Sequence, residues 1–374
     1  MKRFLGVMIM AAVSASIFTA CGNDGGTTTT APANQNAAES PAPAPTPAPE
    51  APAPTPTPSA FVEGAYATGL GIITSTNSSR ENTETVDGRV QVDSGVAAIT
   101  VNSEGIIVAA VIDAPQTRVY FDTEGNITTP LDSVIQTKGE QGASYGMIGN
   151  SGIGSEWYEQ ADAFAEWLIG QSITDALNIS MTENNRPEDA DLASAVTISI
   201  SAMATSVERA IANLVSFEND GPVRTGMGIA SSIGSTRLST DDVDTRVQVD
   251  SAIVVITIDE DGVILAASAD HAQSRVVIDG EGTLNPSDLL TNVPTKGEQG
   301  AGYGMLANSG IGSEWYEQAA AFEEWLIGRH IDEVRNLSLT EDSRPVDDDL
   351  ASGVTISMSA FADALEKAVA DATR

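Results

Sequence analysis

Apolar residues run along this chain in two rhythms, and each change of rhythm marks an element. Val96 to Val101, the turn letters Ser103-Glu104-Gly105, and Ile106 to Val111 read as two strands joined by a glycine-bearing hairpin turn. Ile253 to Ala267, turning at Asp259-Glu260-Asp261-Gly262, reads the same way. A further strand-like segment, Thr117 to Phe121, leads into the turn Asp122-Thr123-Glu124-Gly125, and Asp279-Gly280-Glu281-Gly282 is its twin. These acidic turns lack the spaced ligand set of a calcium loop, so hairpin turns are the expectation. The rhythm then lengthens to that of a helix. Trp157, Ala161, Phe164, Trp167 and Leu168 share one face of a helix expected to start after Ser155 as N-cap and to end at Gly170. Trp315, Ala319, Phe322, Trp325 and Leu326 repeat it, and a closing helix is predicted from about 202 to 214 and again from about 360 to 369.

This doubling extends to the letters themselves. Arg89-Val90-Gln91-Val92-Asp93-Ser94 returns as Arg246 to Ser251, Lys138 to Ala143 as Lys296 to Ala301, and Asn150 to Ala161 without change as Asn308 to Ala319. The chain therefore reads as two tandem homologous α+β domains, 61–217 and 218–374, each an antiparallel sheet with packed helices and each long enough to bury its own core.

What precedes residue 61 cannot form such a domain. Met1-Lys2-Arg3, an apolar run from Phe4 to Phe18, and Thr19-Ala20-Cys21-Gly22 have the layout of a cleaved export signal, 1–20. The chain's one cysteine falls at the cleavage site, as in the lipobox of bacterial lipoproteins, so Cys21 is the expected lipidation site and the membrane the expected partner. Residues 21–60 are rich in Pro, Ala and Thr and read as a disordered stalk; the proline-rich half alone would reach on the order of 60 Å. The location implied is the outer face of a cell membrane.

Charge and composition then narrow the chemistry. With 52 acidic and 18 basic residues the formal net charge is -34, which repels nucleic acid. With Cys21 lipidated no thiol remains, and the two histidines, His271 and His330, both lie in the second repeat, so thiolate metal sites and any histidine-based site common to both repeats are excluded. Neither repeat shows a Ser/His/Asp set, a metal cluster or a carboxylate pair at shared positions, which puts a hydrolase last.

One stretch suggests a ligand. Before each closing helix stand Asp191-Leu192-Ala193-Ser194-Ala195-Val196-Thr197 and Asp349-Leu350-Ala351-Ser352-Gly353-Val354-Thr355. Their spacing resembles the flavinylation motif of the FMN-binding domain family, which runs Asp, two variable residues, Ser or Thr, Gly, Ala, Thr. Glu63-Gly64-Ala65-Tyr66 followed by Gly69-x-Gly71 is similar to that family's opening. The resemblance implies FMN joined as a phosphoester to Thr355 or Thr197 by a separate flavin transferase, with Ser194, Ser352, Asp191 and Asp349 as the other motif residues. Thr355 is favoured because Gly353 offers the close backbone approach a phosphate needs, where the first repeat has Ala195. The residues alone equally allow Val196, Ile198 and Ile200 to alternate as a buried strand with no ligand. Likewise the loop carrying Lys138, Glu140, Tyr145 and Met147 could hold a phosphate or cover a flavin ring, or simply pack Tyr and Met on the core. With flavin, the implied function is an extracytoplasmic electron carrier with redox partners; without it, a non-redox binding or structural module of the cell envelope.

Overall fold

The computed structural model describes residues 64–240 and 242–374. The export signal, Cys21 and the stalk lie outside the described residues. Among the described residues no helix is long and apolar enough to cross a membrane.

The first repeat consists of β1 (Tyr66–Ser75), β2 (Gly88–Val101), β3 (Ile107–Asp113) and β4 (Gln116–Phe121), then α1 (Lys138–Gln141), α2 (Trp157–Leu168), α3 (Ile173–Leu177), α4 (Ala190–Ala195), α5 (Ser201–Ala212) and β5 (Val215–Phe217). The second consists of β6 (Arg224–Ser232), β7 (Thr245–Ile258) and β8 (Ile264–Ile278), then α6 (Lys296–Gln299), α7 (Trp315–Leu326), α8 (Ile331–Val334), α9 (Asp348–Gly353) and α10 (Ser359–Ala372). Both sheets are antiparallel, in the orders β3-β2-β1-β5 and β6-β7-β8, with β4 also on β2. The α+β class and the expected hairpins hold. Gly105, Gly125, Gly262 and Gly282 all take positive φ at the predicted turns.

The repeats differ in backbone where β5 extends only the first sheet, and again at the strand that follows β2 or β7. β8 runs unbroken where its counterpart is split into β3 and β4, because Pro115 stands where the second repeat has Ala272. A proline has no N–H to donate to the ladder.

The helices cover one face of each sheet, α5 and α2 in the first repeat and α10 and α7 in the second. The glycine pair of the opening strand is what lets the closing helix come so near. A Cβ on Gly71 would stand 1.9 Å from the Ser206 carbonyl oxygen, and one on Gly228 would stand 1.9 Å from that of Ala364. One detail of the sequence expectation changes: α2 is capped by Glu156, in a capping box with Glu159, and Ser155 lies one residue outside. The Glu156 carboxylate also accepts from Met147 N and Ile148 N, so it ties the preceding loop to the helix.

The other faces of the two sheets meet each other, giving the order helices, sheet, sheet, helices. In β2, Ala97, Ile99 and Val101 point to the helices, while Val96 and Ala98 point across to Met227, Ile229, Ile253 and Val255. A second shared cluster joins Val90, Val92, Val119 and Phe121 to Ile233, Val247, Val249, Val276, Ile278 and Leu284. In the same interface the hydroxyls of Thr68, Thr100, Thr225 and Thr257 close a buried ring: 68 to 100 at 2.8 Å, 100 to 225 at 2.6 Å, 225 to 257 at 3.0 Å and 257 to 68 at 2.7 Å. Each repeat contributes two equivalent members. Crossed ion pairs follow the same symmetry: Arg209 of α5 reaches Glu298 of the second repeat at 2.8 Å, and Lys367 of α10 reaches Glu140 of the first at 2.5 Å. The repeat boundary near Phe217 to Gly221 falls between β5 and β6, yet all described residues belong to one compact unit. The expectation that each repeat stands alone meets this shared core, in which each sheet is the other's cover.

Candidate functional site

The motif residues fall on α4 and α9 and the irregular segments that follow. Asp191 and Ser194 are exposed on α4, with the Ser194 hydroxyl bonded to the Asp191 carbonyl, and Asp349 and Ser352 repeat this on α9. Residues 196–200 form no strand. Thr197 is partly buried, and both its backbone N–H and its hydroxyl donate to Gln160 Oε1, at 2.8 and 3.3 Å. Thr355 does the same to Gln318 at 2.8 and 3.2 Å. These glutamines are fully buried on α2 and α7, and their amide nitrogens donate in turn to Ser151 and Ser155 or to Ser309 and Ser313. The threonines thus serve to lock the segment onto the Trp-bearing helix.

That arrangement fits a phosphoester poorly. Esterification would remove a hydroxyl donor and set an anion against the buried carbonyl oxygen that three protein donors already share. The glycine argument also needs correction. Gly353 ends α9 with no positive φ, and its missing Cβ makes room for Ala321, whose Cβ would lie 3.0 Å away. One feature does fit: the Arg344 guanidinium donates to the Thr355 carbonyl, which places a cation beside that threonine.

The repeats differ most at the neighbouring strand edge. In the first repeat a cleft of about 680 Å³ opens between sheet and closing helix, lined by Gln91, Asp93, Gln116, Lys138, Trp157, Met203 and small residues that include Gly95 and Ala114. In the second repeat the place of Ala114 is taken by His271 and that of Met203 by Phe361. There His271 meets Trp315 and Phe361 edge-on, with ring centroids 6.2 and 6.1 Å apart, and Phe361 lies 5.9 Å from Phe322. The polar floor is the same in both. Asp93 accepts from Gln91 at 2.7 Å and Gln116 at 2.7 Å, and Asp250 accepts from Gln248 and Gln273, each at 2.8 Å. His271 Nε2 faces Asp250 at 3.4 Å. Burial works against ionisation of Asp250, yet the facing His271 and the two glutamine amides outweigh it and hold the carboxyl well below its usual range. Burial likewise lowers the His271 pKa, so its ring is neutral at neutral pH.

The wall opposite the floor comes from the Lys-Gly-Glu-Gln turn. Asp113 accepts from the Thr137 hydroxyl at 2.5 Å and from Gly139 N at 2.9 Å, which pins this turn and sets Lys138 Nζ 5.2 Å from the ring centres of both Tyr145 and Trp157. In the second repeat Lys296 sits between Tyr303 and Trp315 at 5.1 and 5.6 Å, and burial pushes it down to about 8. Tyr145 and Met147 pack on the core, which is the plainer of the two expectations for that loop.

Smaller clefts lie where each repeat's Trp-bearing helix nears the other repeat. One, of about 330 Å³, is lined by Asp270, Trp315 and Glu323 with Leu70 and Asn213 from the first repeat. The other, of about 260 Å³, is lined by Asp113, Trp157 and Asp162 with Met227 and Asp371. Among the described residues no three His, Cys, Asp or Glu are grouped to hold a metal ion.

Sequence reasoning passed over Asp93, Gln91 and Gln116, although Gln-Val-Asp recurs at 248–250 and a glutamine at 273. The useful signal was the contrast between that repetition and the Ala114/His271 exchange. Comparison with protein-family models, curated proteins and solved structures finds no match for this chain.

Proposed function

We propose that this chain is an exported, lipid-anchored binding module of the cell envelope, with its ligand site in the first-repeat cleft and the second repeat as a closed structural counterpart. One observation carries the reading: the cleft is open in one repeat and filled by His271 and Phe361 in the other, on the same polar floor. Its volume lies in the range of about 300–1,000 Å³ typical of small-molecule sites. Export and anchoring rest on the signal layout and Cys21, and the net charge of -34 argues against nucleic acid as partner. The test is ligand extraction from protein purified from its native membranes, comparing wild type with Met203→Phe, the side chain found at the twin position. A small molecule released from wild type and missing from M203F supports the reading; identical extracts overturn it.

A second reading, covalent FMN on Thr355 of an electron carrier served by a flavin transferase, is favoured by the Arg344 contact. The same native preparation decides it: in-gel flavin fluorescence lost in Thr355→Val supports it, and a colourless wild type refutes it for both Thr355 and Thr197.

A further inference from the structure

The second repeat shows what its open twin can hold. Around His271, the floor residues Gln248, Asp250 and Gln273 have direct counterparts in Gln91, Asp93 and Gln116, and the walls Lys296 and Trp315 have theirs in Lys138 and Trp157. The filling differs by His271 against Ala114, Phe361 against Met203 and Ala252 against Gly95, and the rim by Ala230 against Ile73, Gly234 against Asn77 and Asp363 against Thr205. His271 is therefore a tethered occupant, a planar ring edge-on to Trp315 with one ring nitrogen turned to Asp250.

Resting on the binding-module reading, we infer that the first-repeat cleft takes a free planar nitrogen heterocycle, its ring N–H donating to Asp93 and its ring lying against Trp157. Asp93 has the capacity. A carboxylate offers about four acceptor positions, and the donors present are the side-chain amides of Gln91 and Gln116. Trp157 supplies a rigid, well-buried aromatic wall. The tethered ring also sets the orientation. Its nitrogen stands 3.4 Å from the carboxylate, longer than a good hydrogen bond, and a free ring can close that gap because no backbone restrains it. The absence of a benzyl group at Met203 leaves room beyond a single five-membered ring, so fused two-ring heterocycles belong to the class.

The test titrates the full mature chain with benzimidazole and with 4-methylimidazole by calorimetry, locating the site from the Trp157 indole N–H resonance. Saturable binding that shifts Trp157 is expected. Ala114→His, which installs the second repeat's own side chain, weakens it by about tenfold or more. Conversely, His271→Ala opens the second repeat, adds a second site and lets 4-methylimidazole raise the melting temperature of that variant above its ligand-free value. This arm holds even if A114H disturbs folding. No saturable binding to wild type, or binding that A114H leaves unchanged while H271A gains no site, overturns the inference. A native ligand that M203F abolishes but that has no ring N–H overturns it as well, while leaving the binding-module reading intact.

Discussion

Splitting the chain at the repeat boundary removes the partner of an entire apolar face. Residues 218–374 expressed alone expose Ile233, Val247, Val249, Val276, Ile278 and Leu284 from one shared cluster and Met227, Ile229, Ile253 and Val255 from the other. At about 1.5–3 kcal/mol per fully buried side chain, re-exposing ten of them costs roughly 15–30 kcal/mol. Halving this for residual cover by neighbours on the same sheet still leaves about 8–15 kcal/mol, which equals the whole net stability of an ordinary domain, about 5–15 kcal/mol. The threonine hydroxyls contribute little to that balance, because water replaces their lost partners. The expected outcome is that neither 61–217 nor 218–374 persists as a folded monomer: each unfolds or pairs with a second copy through the bared sheet. Mixing the two fragments should restore a stable one-to-one complex. Sedimentation velocity with urea unfolding followed by circular dichroism reads this directly. A monomeric 218–374 that unfolds cooperatively with a midpoint near that of the whole chain would refute the reasoning, and the two repeats would then be the independent domains that their repetition and length lead one to expect.

Two further predictions come from single side chains. Thr257→Val keeps shape but removes the partner of Thr68 at 2.7 Å and of Thr225 at 3.0 Å. It should cost about 1–3 kcal/mol in urea unfolding, whereas valine at all four ring positions should cost less per site, because no hydroxyl is stranded; equal additive losses would argue against a closed ring. Burial pushes the Glu323 carboxyl from its ordinary value near 4.5 up to about 8. The folded state therefore keeps a proton that the unfolded state releases, so stability from this group is full below about 4.5, declines as pH rises to about 8, and is flat above that. Glu323→Gln should remove that decline from a melting-temperature profile, and an unchanged slope would mean the carboxyl ionises normally.

The central hairpins, their turns and the two long helices of each repeat were legible because their signals are local, period two, period about four, and glycine at each turn, whereas β1 and β6, whose paired glycines and small residues interrupt the apolar alternation, were not. The short helices α1, α3, α4, α6, α8 and α9 escaped because four to six residues are too few to show a period. The sheet-on-sheet contact was written in the unbroken apolar run Val96 to Ile99, which buries both faces of β2, but a strand's sequence does not say what covers its second face. At the site, the motif pointed to Thr197 and Thr355, whose hydroxyls turn out to hold Gln160 and Gln318. The cleft was not legible because the strong sequence signal is identity between the repeats, while the cavity is lined where they differ, at Ala114 and Met203.

The near-symmetry of the interface has a genetic consequence. Thr68 and Thr100 answer Thr225 and Thr257, as a self-paired dimer of one shorter chain would place them across a two-fold axis. In such a dimer every substitution occurs twice, so a mutation that plugs one cleft plugs both, and binding is lost outright. Joining the two halves in one gene removes that coupling. The halves are then free to diverge, one holding His271 and Phe361 as core and the other Ala114 and Met203 around an opening. Selection can act on rigidity in one half and on recognition in the other, a division of labour closed to any assembly of identical subunits.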